Sequence, residues 1–378
     1  MIALPVNPFR SALRRSGALA AAAVAVLALT AAAAPAAPAL PMPPTPSADT
    51  TGDPALAARL RAATADLAGQ GFAVAAGEAT AGASAAIGTA APGRALTAAT
   101  PQEIGSVTKG LTGLLLADAV ERGEVEPTTT LGDVHPWLTG HLAATTLEEL
   151  ATHTSGLPRL STRAALAAPI TAITYGNPYR WDTPENLLRD AAWTPLRGPR
   201  GEHAYSNLGY ALLGNALAQR LGRPYPQLLH ERVLQPLGMD ATRAAPDPLP
   251  AGRARELGPD GRPSTPWRSS GSTPAGVGVY STAEDLGRLA RAAASGELPG
   301  ARALEPVLDT PGARVGWGWL SADVGGRTVV GVNGATTGVR TSVWAVPGTG
   351  QWVAVTSPSG STGEADTQTV AFRLLGLA

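Results

Sequence analysis

Strand-like runs stand at both ends of this 378-residue chain, and helical periodicity fills its middle. Short apolar runs bounded by glycine or turn residues occur at 72–76 and 85–88, and three more at 327–334, 340–346 and 351–356. Pro347-Gly348-Thr349-Gly350 makes a turn between the last two. From about 105 to 237 the chain is helix-rich with long loops. Leu56, Leu60 and Leu67 keep a helical period near the start, closed by Gly69 and Gly71, and a short helix is expected over 367–375. Terminal strands pairing in one antiparallel sheet, with the helical insertion packed beside it, give an α+β molecule of two lobes. The cleft between them is the natural place for a site. No repeat of solenoid or propeller period is present.

Composition removes several function classes. The formal net charge is zero, which gives no electrostatic case for nucleic acid or an anionic membrane surface. There is no cysteine, so disulfides, Fe–S clusters and thiolate zinc sites are excluded. Forty-four glycines and 34 prolines point to many ordered loops rather than a simple helical bundle. No His-Glu-x-x-His, P-loop, Gly-x-Gly-x-x-Gly or Gly-x-Ser-x-Gly occurs. No metal or organic cofactor is expected.

The N-terminus reads as a targeting segment. Arg10, Arg14 and Arg15 precede an uncharged Ala/Leu/Val run from about 17 to 34, and Ala31-Ala32-Ala33 and Ala37-Pro38-Ala39 each fit a small-residue cleavage site. We therefore expect a signal peptide over 1–39, an exported protein, and a Pro/Ala-rich linker over 40–53 that cannot build a core. The folded domain is expected over 54–378. An uncleaved membrane anchor is the other reading of the run, which is short and mostly alanine.

The first chemical motif is Ile104-Gly105-Ser106-Val107-Thr108-Lys109-Gly110. Leu111, Leu114, Leu115 and Ala119 follow at helical spacing, with Gly123 as a C-terminal cap. Ser106 thus lies near a helix start and Lys109 one turn later on the same face. A buried lysine loses its charge more easily and can accept the serine's proton, while the helix N-terminus favours a developing alkoxide. Alone, this spacing also fits a serine N-cap beside a solvated lysine. The second motif, His203-Ala204-Tyr205-Ser206-Asn207, precedes the apolar helix beginning Leu208-Gly209-Tyr210. Tyr205 is a candidate proton shuttle beside Lys109. Asn207 offers an amide to a substrate carbonyl and to Lys109, and Tyr210 reads as a packing residue.

Together these motifs resemble the serine β-lactamase and penicillin-binding protein superfamily, in its class C β-lactamase, D,D-peptidase and carboxylesterase branch. The supporting stretches are 104–116, 146–158, 205–214, 233–239 and 280–286, in the family's order over nearly all of the chain beyond Leu56. The resemblance implies a β-lactamase-like fold and a Ser106 acyl-enzyme formed on an amide or ester. It implies a small-molecule or peptidoglycan-like substrate, with D,D-peptidase, esterase and β-lactamase activities left open, and the molecule is expected to be a monomer. A catalytically weak or inactive binding protein is the alternative from another class.

The family's third motif, Lys-Thr-Gly or His-x-Gly, falls here on Val332-Asn333-Gly334. Gly334 is expected to let a substrate backbone approach the strand, and the Ala335 and Ser106 amides to form an oxyanion hole. Val332 replaces the basic residue and can neither donate a hydrogen bond nor carry charge. Arg340, on the next strand, either takes over part of that role or is an edge arginine. His153 is expected to make a structural hydrogen bond and His203 to pack. The Pro-rich stretch 158–200 is expected to cover part of the cleft, anchored by Trp181 and Trp193.

Overall fold

The computed structural model describes residues 49–67, 69–245, 247–359 and 366–377. The expected signal peptide and most of the expected linker lie outside these residues. Among them, no helix is long and apolar enough to cross a membrane.

The two ends of the chain meet in one antiparallel sheet. Gln351–Ser357 pairs with Gly71–Glu78, placing Val355 opposite Val74. The main path runs Thr50–Gly52, Ala81–Ala91, Gly71–Glu78, Gln351–Ser357, Arg340–Val346, Arg327–Ala335, Leu320–Val324, Ala313–Val315, Leu308–Thr310. Side chains alternate between its faces, as the two-residue period of a strand demands. Val74, Val353, Val355 and Trp344 pack on one face with Leu56 and Leu60 of helix Pro54–Ala63 and Val370 and Phe372 of helix Asp366–Leu374. Ala75, Val343, Ala345 and Ala354 pack on the other with Leu286 and Leu289 of helix Ala283–Ser295. Fully burying each large aliphatic chain is worth about 1.5–3 kcal/mol, so this two-sided core fixes the strand register.

Helix Val107–Glu121 joins the sheet to the helical lobe. Its residues Val107 to Ala119 are buried on every side, because the sheet lies on one flank and helix Asn207–Leu221 belongs to the same core on the other. A helix so enclosed forces Lys109 into the interior along with its leucines.

The boundaries differ from expectation in three places. Order begins before Pro54: Thr50–Gly52 pairs with Ala85–Ile87 inside the span assigned to a linker, and the Asp53 carboxylate accepts the Leu56 amide at 2.7 Å to start the first helix. That helix ends at Ala63, short of Leu67, because the Thr64 hydroxyl bonds the Leu60 carbonyl at 2.8 Å and the chain turns. The sheet also extends beyond strand Arg327–Ala335 through three short strands from 308–324, whose sequences lack a strong alternating pattern.

Candidate active site

Ser106 occupies the N-cap position of helix Val107–Glu121, but its side chain does not cap the helix. The hydroxyl lies 2.5 Å from the Tyr205 hydroxyl and accepts from Lys109 Nζ at 2.9 Å. Gly105, at φ +48°, turns the chain sharply just before it, in the left-handed region that favours glycine. The Ser106 hydroxyl therefore does not serve as the helix cap; its partners are Tyr205 and Lys109.

Lys109 is 2 % exposed. Its ammonium donates to the Ala275 carbonyl at 2.6 Å as well as to Ser106. Burial pushes its pKa down, Tyr205 opposes that shift, and the positive charge of Arg159 adds to it. The neutral amine that can accept a proton from Ser106 is therefore more accessible than on a surface lysine. The expected bond from Asn207 to Lys109 is absent among the described contacts; the Ala275 carbonyl takes that place. Asn207 instead donates through Nδ2 to the Tyr179 hydroxyl at 2.8 Å, and its Oδ1 is buried with no partner.

Tyr205 leads into helix Asn207–Leu221, whose N-cap Ser206 accepts the Gly209 amide at 2.8 Å and donates to the Pro158 carbonyl at 2.7 Å. His153 makes the structural bond expected of it: Nδ1 accepts the Ser206 amide at 3.0 Å. Its ring centroid lies 4.4 Å from that of Tyr205. Burial, with the nearby charge of Lys109, holds the imidazole well below its ordinary pKa and so neutral. His153 thus fixes the backbone that carries Tyr205 without adding charge. Tyr210 is wholly buried and donates to the Ala151 carbonyl at 2.6 Å, a packing role.

The sheet side approaches through strand Arg327–Ala335. A Cβ at Gly334 would fall 2.1 Å from the Ile104 carbonyl oxygen and 3.0 Å from the Ser106 nitrogen. The glycine is thus required by the protein's own backbone at 104–106, before any substrate is considered. A Cβ at Gly105 would meet the Ala335 nitrogen at 2.7 Å. The two missing side chains let the backbone around Ser106 and that around Ala335 approach each other closely. Val332 faces the cavity, as its place in the third motif implies. Arg340 is not on the cavity wall: its guanidinium donates to the Thr336 and Val339 carbonyls at 2.8 and 2.9 Å. The geometry gives no support to Arg340 as a stand-in for the missing cation.

These groups open onto a cavity of about 390 Å³, lined on one side by Arg159, Leu160, Pro178, Tyr179, Tyr205 and Asn207. The opposite side presents Trp319, Leu320, Val332 and Asn333, with Trp267 near Tyr179 at a 5.2 Å ring distance. The stretch 158–200 does cover part of the cleft. Its anchor is buried Tyr179; Trp181 and Trp193 are 50 % and 86 % exposed, which corrects the expectation for both. Sequence reasoning missed Ala275, Tyr179, Trp267, Trp319 and Arg159. The one available signal was placement: Arg159 directly follows the 153–158 stretch, and Ala275 sits in a run with glycines at 271, 276 and 278.

Known proteins carry the same fold and family signature. The Beta-lactamase family profile matches residues 55–377, and the protein belongs to that family. The D-alanyl-D-alanine-carboxypeptidase/endopeptidase AmpH of Escherichia coli K12 is 33 % identical over 190 residues, 49 % of this chain and 46 % of AmpH. The chain therefore spans about half the length of the curated relative it matches. A class C β-lactamase from Rhodobacter sphaeroides superposes with a TM-score of 0.73 at 20 % identity, covering 86 % of this chain and 99 % of that one. A β-lactamase/D-alanine carboxypeptidase from Pseudomonas syringae gives the same TM-score and coverage at 18 % identity. Both share the fold.

Proposed function

We propose that the protein is an exported serine hydrolase that cleaves an amide or ester through an acyl-enzyme on Ser106. The observation that carries this reading is the placement of one hydroxyl, Ser106 Oγ, within hydrogen-bond reach of both Lys109 and Tyr205. Ser106 attacks the substrate carbonyl as its proton passes to the Lys109–Tyr205 pair. The Ser106 and Ala335 amides stabilise the oxyanion. Tyr205 protonates the leaving group, and water then hydrolyses the acyl-enzyme. AmpH is a D-alanyl-D-alanine-carboxypeptidase/endopeptidase and the Pseudomonas syringae neighbour a β-lactamase/D-alanine carboxypeptidase. A peptide ending in D-alanyl-D-alanine is accordingly the first substrate to try. Esters and β-lactams are the other two classes.

Intact mass of the mature protein after brief exposure to a penicillin, and separately to a p-nitrophenyl ester, tests the reading. An adduct mapping to Ser106, or ester turnover abolished in Ser106→Ala, is expected. Turnover retained by Ser106→Ala would overturn the mechanism.

A further inference from the structure

The two walls of the cavity differ in charge. On the sheet side, Val315, Trp319, Leu320, Val332, Asn333, Ala335 and Gln368 carry none, and Arg340 is turned onto its own loop. No carboxylate is among the described residues lining the cavity. On the helical side stands Arg159, solvent-exposed at the cavity's edge, its guanidinium carbon 5.1 Å from the centre of the Tyr205 ring. Lys109 is engaged with Ser106 and the Ala275 carbonyl. Among the described residues Arg159 has no ion pair and no side-chain hydrogen bond; the Tyr205 ring is its contact. Its backbone, by contrast, is fixed, since its carbonyl accepts the Asn207 amide at 2.9 Å. A guanidinium anchored at its base, stacked near the reacting tyrosine and left with its donors open to the cavity, is arranged to take a bidentate anion.

Building on the serine-hydrolase reading, we propose that Arg159 is the specificity-determining residue of this site. It selects substrates whose carboxylate lies at the helical-lobe end of the cavity, on the side of the scissile carbonyl opposite the uncharged sheet wall. The expected substrate is thus an acyl donor with a free carboxylate a few bonds from the reacting carbonyl. An anion at the sheet wall would be desolvated against Trp319 and Val332 with no cation to meet it.

The test compares mono-p-nitrophenyl glutarate, which carries an acyl-side carboxylate, with neutral p-nitrophenyl butyrate. The quantity read is the ratio of their kcat/KM values. Wild type favours the glutarate. Arg159→Ala lowers the ratio at least tenfold, Arg159→Glu lowers it further, and Arg159→Lys falls in between; added salt narrows the wild-type preference. A ratio within twofold of wild type in both Arg159→Ala and Arg159→Glu overturns the proposal. If neither ester is turned over, Ser106-dependent cleavage of a D-alanyl-D-alanine peptide or acylation by a penicillin decides the hydrolase reading, and binding decides this one separately. Calorimetry with glutaric acid monoamide on Ser106→Ala should then show a dissociation constant at least tenfold weaker when Arg159→Ala is added. Equal affinities overturn it.

Discussion

Behind the cavity wall lie two buried carboxyl groups whose ionisation should be visible in stability. Glu103 and Glu256 are 1 % and 2 % exposed. The Glu103 amide donates to Glu256 Oε1 at 3.0 Å, the Trp267 amide donates to Glu103 Oε1 at 2.6 Å, and Glu256 Oε2 is buried without a partner. Arg253 is the nearby charge that favours ionisation of Glu256, and Tyr280 donates to Glu103. Burial raises both carboxyls, Glu256 to about 7 from an ordinary 4.5. The native state therefore keeps a proton that the unfolded chain gives up between pH 4.5 and about 7. Stability must fall as pH rises through that window and stay reduced above it. At about 1.4 kcal/mol per unit, a rise of this size costs about 3 kcal/mol in full. His153 acts in the opposite direction, since its depressed pKa makes stability rise with pH through the ordinary imidazole range. Comparing wild type with Glu256→Gln cancels that contribution. Urea unfolding at pH 5, 6, 7 and 8 should show the variant gaining on wild type by about 1–3 kcal/mol between pH 5 and 8. Parallel curves for the two proteins would refute the reasoning.

Two further substitutions probe the site. Lys109→Arg keeps the charge but cannot lose it, so turnover should fall at least about a hundredfold, in the range set by loss of a general base; steady-state kinetics with wild-type-like rates would remove Lys109 from proton transfer. Gly334→Ala places a methyl carbon 2.1 Å from the Ile104 carbonyl. It should cost about 1–3 kcal/mol and lower turnover together with the melting temperature, whereas an unchanged melting curve would mean that the two backbones can part without loss.

The sheet was legible where strands are long and hydrophobic on both faces. The runs at 327–334, 340–346 and 351–356 fall within observed strands because Val, Trp and Ala there fill cores above and below. Thr50–Gly52 was not legible, since three polar or small residues acquire strand structure only by pairing with Ala85–Ile87. The same holds for Gln102–Glu103, Arg243–Ala244 and Val279–Ser281, a small sheet built from segments far apart in the chain. Nothing local in two residues distinguishes a strand from a loop.

The site divides along the same line. Ser106 and Lys109 are one helical turn apart, so their contact follows from helix geometry alone, and Tyr205 could be placed by its motif. The Lys109 acceptor could not: Ala275 contributes a backbone carbonyl, and a carbonyl carries no residue signature in sequence. Nor could the Glu103–Glu256 pair, 153 positions apart, be seen as a pair until the fold brought them together. The loss at Val332 was legible as an absence, and it directed attention to Arg340 because that residue is near in sequence. The structure shows why nearness along the chain was the wrong guide. Arg340 starts the strand beside Arg327–Ala335, and its guanidinium is spent on the loop joining the two strands. Among the described residues it is Arg159, from a different lobe and over 170 positions from Val332, that is the arginine lining the cavity. A charge removed from one wall of a cleft can be replaced only from a segment that borders the same space, and which segments border it is decided by the packing of the two lobes.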